Sequence, residues 1–548
     1  ENYWGAKKHY LEFLSATGAR SLPVYNMANY NLGYVYFNRK EYNGSIYHFN
    51  AFIQGRGNEQ TVMIADSYLR LGDSWFVSKG YDNAITHYDK AIALKEVDMD
   101  YALLQKSKSL GVLQRYPEQI ATLNQLISAY PGSSMVSEAY YELGNTYLMT
   151  RDHENALINF KKVANDYPQS VFAIKSQLKS GLIYYNSGLN DLAIKTFKGV
   201  VDGYPGTPEA MEALASLKNL YVELGRANDY IAYTSNLSYA TISASEKDSI
   251  LYSSAENQYL DGHCDIAEGA LKNYLEQFPK GAFVINANFF LAECLAKAEK
   301  YEEALKRYKA VLEGSKSEFT ESALLKAADL SYDLSAYKAS LDYFVKLEEV
   351  AEVKANIPES WYGQMKCKYL LNDYEGAILP AEKLLREEKI SDEMKLEAML
   401  ITARSYFLTG DMLMAKSKFR DIVSYSQGEA GAEAQYTIAR IEYDMEDLEA
   451  AEKDVFELIN KYSPYDYWVA SGFILLADIY YDQGNTFQAK QTLQSIIDNH
   501  EGEELRVKAA RKLQAIHSDE EMVGEPESDS AEVMDLNGDL IELEEFKD

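Results

Sequence analysis

Bulky and small apolar residues recur along this chain at spacings of three, four and seven residues, which is the spacing of one face of a helix. In the stretch from Tyr140 to Tyr147, bulky residues flank Gly144, and the following segment places Ala156 four residues before Phe160. The pattern predicts two amphipathic, antiparallel helices, each of which buries one face.

This two-segment pattern returns along almost the whole chain, at intervals of about 35 to 39 residues. We expect the small residue of each second segment to lie where two helices approach most closely, with aromatic side chains filling the space beside it. These positions are Ala6, Ser45, Ala84, Ile120, Ala156, Ala193, Tyr230, Ala267, Ala304, Ala339, Ala377, Ala415, Ala451 and Ala489.

The constant phase predicts an all-α fold, a right-handed α-solenoid of about fourteen helix pairs over residues 1–517. The array starts within a repeat, because Ala6, Tyr10 and Phe13 have the pattern of a second helix. We expect a single helix at 504–517 to cover the last pair, and residues 518–548 to form an acidic tail.

The order of small and bulky residues around Gly144, Ala156 and Phe160 resembles that of the tetratricopeptide repeat. The resemblance covers about residues 1–517 and implies a non-catalytic scaffold that binds proteins or peptides in a concave groove lined by the first helix of each pair. The chain departs from the family in its longer period, in a poorly matched unit around Tyr230, and in Pro380, which falls within a second helix and should kink it.

The long unit, with Tyr-Pro-Gly-Ser at 130–133, Tyr-Pro-Gln-Ser at 167–170 and Phe-Pro-Lys-Gly at 278–281, resembles repeats of bacterial envelope proteins. Proteins of the Tol-Pal coordinator type and of the outer-membrane barrel-assembly lipoprotein type have similar units. This resemblance implies a periplasmic or outer-membrane-associated location and association with envelope membrane proteins. A cytoplasmic location is the alternative.

Composition excludes several classes of function. A formal net charge of −30 argues against nucleic-acid binding, because phosphate recognition needs clustered Lys and Arg. No run approaches the roughly 18 apolar residues of a transmembrane helix. The cysteines form no CxxC pair, and no catalytic or phosphate-binding motif is present, so we expect no enzyme activity, no metal site and no cofactor.

The family resemblance also implies which residues face the groove. The first half of the chain provides Tyr30, Tyr34, Phe76, Tyr141, Asn145 and Tyr185; the second half provides Tyr362, Lys366, Tyr369, Leu400, Arg404, Phe407, Tyr436, Arg440 and Tyr443. Solvated charges and ordinary packing remain alternative interpretations of these residues.

Two functions follow from such a groove. The leading hypothesis is a protein-interaction scaffold; the alternative is a protein that binds carbohydrate or another envelope polymer by stacking tyrosines on sugar rings. A further hypothesis places the acidic tail from Glu525 onward beside Lys366, Arg404 and Arg440, in competition with a solvated tail.

Overall fold

The computed structural model of the protein describes residues 2–55, 61–96 and 98–523, with side chains up to residue 519. Within these ranges all regular elements are helical and none is a strand, which confirms the all-α prediction. The chain divides into two compact units, unit 1 at residues 1–282 and unit 2 at residues 283–548.

Unit 1 begins with α1 (Tyr3–Ser15), which precedes the first complete helix pair. The first helices of its pairs are α2 (Val24–Asn38), α4 (Thr61–Val77), α6 (Met99–Val112), α8 (Val136–Met149), α10 (Val171–Asn186), α12 (Pro208–Glu223) and α14 (Ala244–Leu260). The second helices are α3 (Tyr42–Gln54), α5 (Tyr81–Leu94), α7 (Tyr116–Ala129), α9 (His153–Asp166), α11 (Asn190–Gly203), α13 (Ala227–Thr234) and α15 (Cys264–Gln277).

Unit 2 continues the same alternation and ends with a single helix. Its first helices are α16 (Val284–Lys297), α18 (Thr320–Asp333), α20 (Asn356–Leu370), α22 (Asp392–Leu408), α24 (Glu429–Asp444), α26 (Asp466–Asp482) and the unpaired α28 (Glu503–Val523). The second helices are α17 (Tyr301–Leu312), α19 (Tyr337–Val350), α21 (Tyr374–Leu385), α23 (Met412–Tyr425), α25 (Leu448–Lys461) and α27 (Thr486–Asn499).

Within each unit, a helix packs mainly against the helices before and after it in sequence. First helices also contact the first helices of neighbouring pairs, as α8 does α10 and α10 does α12 in unit 1, and as α20 does α22 and α24 does α26 in unit 2. Most first helices of each unit therefore lie next to the following first helix, as expected for stacked repeats.

Small residues lie at the crossings within the pairs. Ala156 and Ala193 are fully buried, and a Cβ atom on Gly144 would approach the ring of Phe160 to 2.5 Å. The buried small position is the third residue after the start of the second helix. Two positions assigned from the sequence were wrong by one residue, because Gln119 and Ser340 are buried there instead of Ile120 and Ala339.

The poorly matched unit around Tyr230 is irregular in the structure. Its second helix α13 has only 8 residues, and α14 packs against α12 as well as against α13. The helix containing Pro380, α21, continues through the proline.

The last helix packs on the final pair through Leu505, Ala509 and Ile516, which join the buried cluster around Ala489 and Leu493. It extends to Val523, beyond the predicted range 504–517, so the first residues of the predicted tail 518–548 belong to this helix. The remainder of that tail, including the segment from Glu525 onward, lies outside the described residues.

Candidate functional site

The candidate groove residues all lie on first helices. We call the first helices of unit 1 the N-terminal row and those of unit 2 the C-terminal row. Tyr30, Tyr34, Phe76, Tyr141, Asn145 and Tyr185 belong to the N-terminal row, and Tyr362, Lys366, Tyr369, Leu400, Arg404, Phe407, Tyr436, Arg440 and Tyr443 belong to the C-terminal row.

Tyr30 and Tyr34 are tied to the next first helix of the N-terminal row. Both hydroxyls donate to the Oδ2 atom of Asp66 on α4, at 2.7 and 2.6 Å. The rings pack edge-on against Phe49 of α3. Burial, together with the hydrogen bond to Asp66, raises the pKa of Tyr30 above its usual range and that of Tyr34 to about 12. These tyrosines stay protonated and hold adjacent pairs together.

Further along the N-terminal row, rings remain half-buried but differ in their partners. Tyr141 packs on Phe160 and on Phe172 of α10, with ring centroids 5.8 and 5.1 Å apart. The Tyr185 hydroxyl donates to Oε1 of Glu223 on α12 at 2.5 Å. The acceptors Asp66 and Glu223 were missed by the sequence reasoning, although each lies about one repeat after its tyrosine and the period could have identified it.

The three candidate cations of the C-terminal row are each paired with a carboxylate. Arg404 donates from Nε and Nη2 to both oxygens of Glu433 on α24, at 2.6 and 2.5 Å. The Lys366 ammonium lies 3.7 Å from Glu397, and Arg440 reaches Asp444 on its own helix at 2.9 Å.

Because each positive charge has its own acid, these residues form a series of neutral pairs. The expected cationic strip for an acidic segment is therefore offset by carboxylates that the sequence reasoning did not include.

Acids on the following first helix also accept hydrogen bonds from tyrosines of this row. Tyr362 donates its hydroxyl to Glu397 on α22, and Tyr443 donates to Asp482 on α26 at 2.6 Å. Lys366 lies 4.8 Å from the ring centroids of both Tyr332 and Tyr362. The other rings pack locally: Tyr369 against Tyr374, Tyr436 against Trp468, and Phe407 with Leu400 against the cluster around Phe419.

Cavities bring some candidates together. In the N-terminal row, Phe76 and Asn145 line a cavity of about 440 Å³ with Gln119 and Glu142. In the C-terminal row, Tyr362 and Lys366 line a cavity of about 400 Å³. Burial raises the pKa of Glu142, although Lys108 opposes the shift. The sequence did not identify Gln119, because nothing in the repeat pattern marks a buried amide.

The chemistry of the rows consists of rings, hydroxyls and paired charges. Across residues 2–55, 61–96 and 98–523, no three His, Cys, Asp or Glu side chains are placed to bind a metal ion. No helix in the described part of the chain has the length and hydropathy needed to cross a membrane.

Comparison with known proteins identifies the repeat. A family model described as tetratricopeptide repeat matches residues 138–170, 175–207 and 473–502, which cover α8 to α11 and the region of α26 and α27. The first two matched segments begin and end close to the helix pairs α8–α9 and α10–α11, and the third begins within α26 and ends just after α27. The resemblance predicted from the sequence is therefore confirmed.

Two curated proteins are similar in sequence to parts of this chain. The outer membrane protein assembly factor BamD of Rickettsia prowazekii (strain Madrid E) is 29% identical over 160 residues, or 25% of this chain and 64% of the relative. Heat shock protein STI1 of Saccharomyces cerevisiae (strain ATCC 204508 / S288c) is 28% identical over 100 residues, or 18% of this chain and 16% of the relative. The chain thus spans less than two thirds of either protein.

Solved structures are similar only at low identity. Naa15/Naa10 bound to HypK-THB aligns with 91% of this chain and 80% of the matched chain, at 12% identity and a TM-score of 0.36. A tetratricopeptide repeat protein from Parabacteroides merdae ATCC 43184 aligns with 49% of this chain and 98% of its own, at 17% identity and a TM-score of 0.28. Similarity at this level carries no argument about function.

Proposed function

We propose that this chain, a tetratricopeptide-repeat protein, is a scaffold whose N-terminal and C-terminal rows bind segments of partner proteins. The observation that supports the proposal is a repeated contact in which a half-buried tyrosine donates its hydroxyl to an acid on the next first helix. Tyr185 with Glu223 and Tyr443 with Asp482 are examples. A ring fixed in this way loses little conformational freedom when a partner packs on it, which favours binding.

Charge narrows the class of partner. The net charge is −30, and Lys366, Arg404 and Arg440 are already paired with acids. An acidic segment would meet repulsion, and these three cations are already neutralised by their own acids. We therefore expect partner segments that are apolar and aromatic with neutral or basic flanks, and association that slows as salt screens the acidic field.

The test uses the chain as bait for partners from its source cells, followed by titration of each purified partner. Replacing Tyr185 and Tyr443 by alanine together should weaken binding by about tenfold or more, since aromatic anchors dominate such interfaces. Phe487→Ala is the matched control, because this ring is 72% exposed on the second helix α27 and its loss should leave partner binding unchanged. Equal loss in both variants, or retention of glycans in place of proteins, contradicts the scaffold function and, in the latter case, supports carbohydrate binding.

We also propose a periplasmic or outer-membrane-associated location with envelope partners. Support comes from the identity to an outer membrane protein assembly factor over 160 residues and from the Tyr-Pro turns at 130–133 and 167–170. Fractionation of source cells expressing the full-length protein tests this. Recovery with cytoplasmic markers after osmotic release of the periplasm contradicts it.

A further inference from the structure

A column of side chains runs along the N-terminal row at the residue five positions before each second helix. Its members are Phe37, Phe76, Gly111, Leu148, Tyr185, Val222 and Tyr259. The same position carries Ala296, Tyr332, Tyr369, Phe407, Tyr443 and Tyr481 in the C-terminal row. Most of these residues carry rings, and Gly111 on α6 is the column position without any side chain.

Gly111 lines the 440 Å³ cavity. Gly111 and Val112 of α6 form one wall, Phe76 of α4 a second, and Thr146 and Met149 of α8 a third. These walls are mostly apolar. The volume falls in the range of about 300–1,000 Å³ typical of ligand pockets, and it suits one large side chain of a peptide with its backbone at the mouth.

Gln119 supplies a polar group to this cavity. It occupies the crossing position that is Ala84 in α5 and Ala156 in α9, and it is only 5% exposed. Its amide lies against Gly111, since a Cβ atom there would be 2.7 Å from Nε2. Within the described part of the chain no hydrogen bond of this amide is found, and its polar atoms are not among the fully buried unpaired ones, so they remain open to the cavity. A ligand that pairs with this amide replaces its contact with water in the cavity by a direct hydrogen bond, which adds affinity.

The charged groups beside the cavity do not favour a charged ligand. Lys108 is paired with Glu138 at 2.6 Å. Burial raises the pKa of Glu142. The cavity therefore suits a ligand that has an aromatic ring ending in one neutral hydrogen-bonding group.

We propose that this cavity binds one tyrosine side chain of a partner peptide. The ring lies beside Gly111, between Phe76 and Met149, and the phenol hydroxyl pairs with the Gln119 amide. The column offers an internal parallel, because Tyr185 at the same position also places its hydroxyl on a polar side chain. The proposal rests on the scaffold function and names the residue that this part of the row selects.

The test titrates the full chain with acetyl-Gly-Tyr-Gly-amide and with the analogues that carry Phe or Leu, using ligand-observed NMR. The tyrosine peptide should bind about tenfold more tightly than the phenylalanine peptide, and the leucine peptide more weakly still. Gly111→Phe fills the cavity with the chain's own ring and should reduce tyrosine-peptide affinity by about tenfold or more. Gln119→Leu should remove the preference for tyrosine over phenylalanine.

Ala296→Phe is the matched control, because it adds the same ring at the equivalent column position of α16 in unit 2 and should leave binding unchanged. Circular dichroism checks that each variant is folded. If Gly111→Phe does not fold, the Gln119→Leu titration decides alone.

Equal affinity for the three peptides, or a tyrosine preference that survives Gln119→Leu, overturns the proposal. A natural partner that binds the Gly111→Phe chain as tightly as the unaltered chain also overturns it, while leaving the scaffold function intact. A chain that retains no partner at all overturns the scaffold function, and the peptide titration still decides the role of the cavity.

Discussion

Asp73 on α4 is a buried carboxylate at the centre of a hydrogen-bond network in unit 1. It is 7% exposed, accepts hydrogen bonds from the hydroxyls of Tyr88 and Tyr101 at 2.9 and 3.0 Å, and pairs with Arg70 at 2.6 Å. Burial raises the pKa of Asp73 even though Arg70 opposes the shift. The network joins α4, α5 and α6, so it fixes the position of one first helix relative to the next.

Replacing Asp73 by alanine should destabilise this region by about 1–3 kcal/mol, because it leaves the hydroxyls of Tyr88 and Tyr101 without their acceptor and leaves Arg70 with Asp66 alone, 3.5 Å away. Hydrogen exchange of α4 to α6, compared with the unaltered chain, measures the effect. Asp82→Ala on α5 is the control, since that side chain is 80% exposed and its loss should cost at most about 1 kcal/mol. Similar losses in the two variants would show that the network does not stabilise the pairs.

His48 on α3 is a buried imidazole of unit 1. The side chain is 7% exposed, its Nδ1 lies 2.9 Å from Oδ1 of Asn29, and it stacks on Tyr36. Burial lowers the pKa of His48 to about 4. The unfolded chain then binds the proton more readily than the folded chain, so the contribution of neutral His48 is complete above about pH 6.5 and is lost as pH falls toward 4.

We therefore expect protection of α2 and α3, corrected for intrinsic exchange rates, to fall between pH 6.5 and pH 4. His48→Gln keeps a neutral polar side chain and should flatten this dependence. A dependence that remains unchanged in the glutamine variant assigns the effect to other groups.

At the scale of one helix, Pro380 shows how this chain accommodates a proline in α21. The proline has no N–H group for the carbonyl of Gly376, and the ammonium of Lys368 on α20 donates to that oxygen at 3.2 Å. The lysine side chain thus replaces the missing backbone donor, and the helix runs from Tyr374 to Leu385 without interruption.

A double-mutant cycle tests this replacement. Lys368→Met should destabilise the protein by about 1 kcal/mol, since it leaves the Gly376 carbonyl without a partner. In the Pro380→Ala background the alanine N–H supplies the bond, and the same lysine substitution should cost close to nothing. Urea unfolding of the four proteins gives the coupling energy, and strict additivity would contradict the assignment.

The helix pairs could be predicted from the sequence because the repeat period is long and regular. The errors arose where side-chain chemistry departs from the pattern: Gln119 is buried at a small-residue position, and Ser340 is buried beside the exposed Ala339. No local signal revealed that α13 would be short. The acids Glu397 and Glu433 were also missed as partners of Lys366 and Arg404, because pairing depends on the relative phase of two neighbouring helices.

At the scale of a whole unit, stability is expected to spread through contacts between neighbouring repeats. Ala156 on α9 is a suitable place to examine this, because it is fully buried in a cluster with Phe160 and with Ile183 of α10. A perturbation there reaches the adjacent pair directly and more distant pairs only through intervening helices.

Ala156→Leu should overpack this crossing and cost about 1–3 kcal/mol. The expected result in hydrogen exchange is a loss of protection centred on α8 to α10, with α2 and α3 of the same unit retaining theirs. Ile158→Leu is the matched control, because Ile158 lies on the same helix and is 56% exposed, so the same new side chain meets solvent there. In an array held together by contacts between neighbouring repeats, the loss of protection should decrease with distance from Ala156. Uniform loss of protection from α2 to α15 would instead show that unit 1 unfolds as one cooperative body.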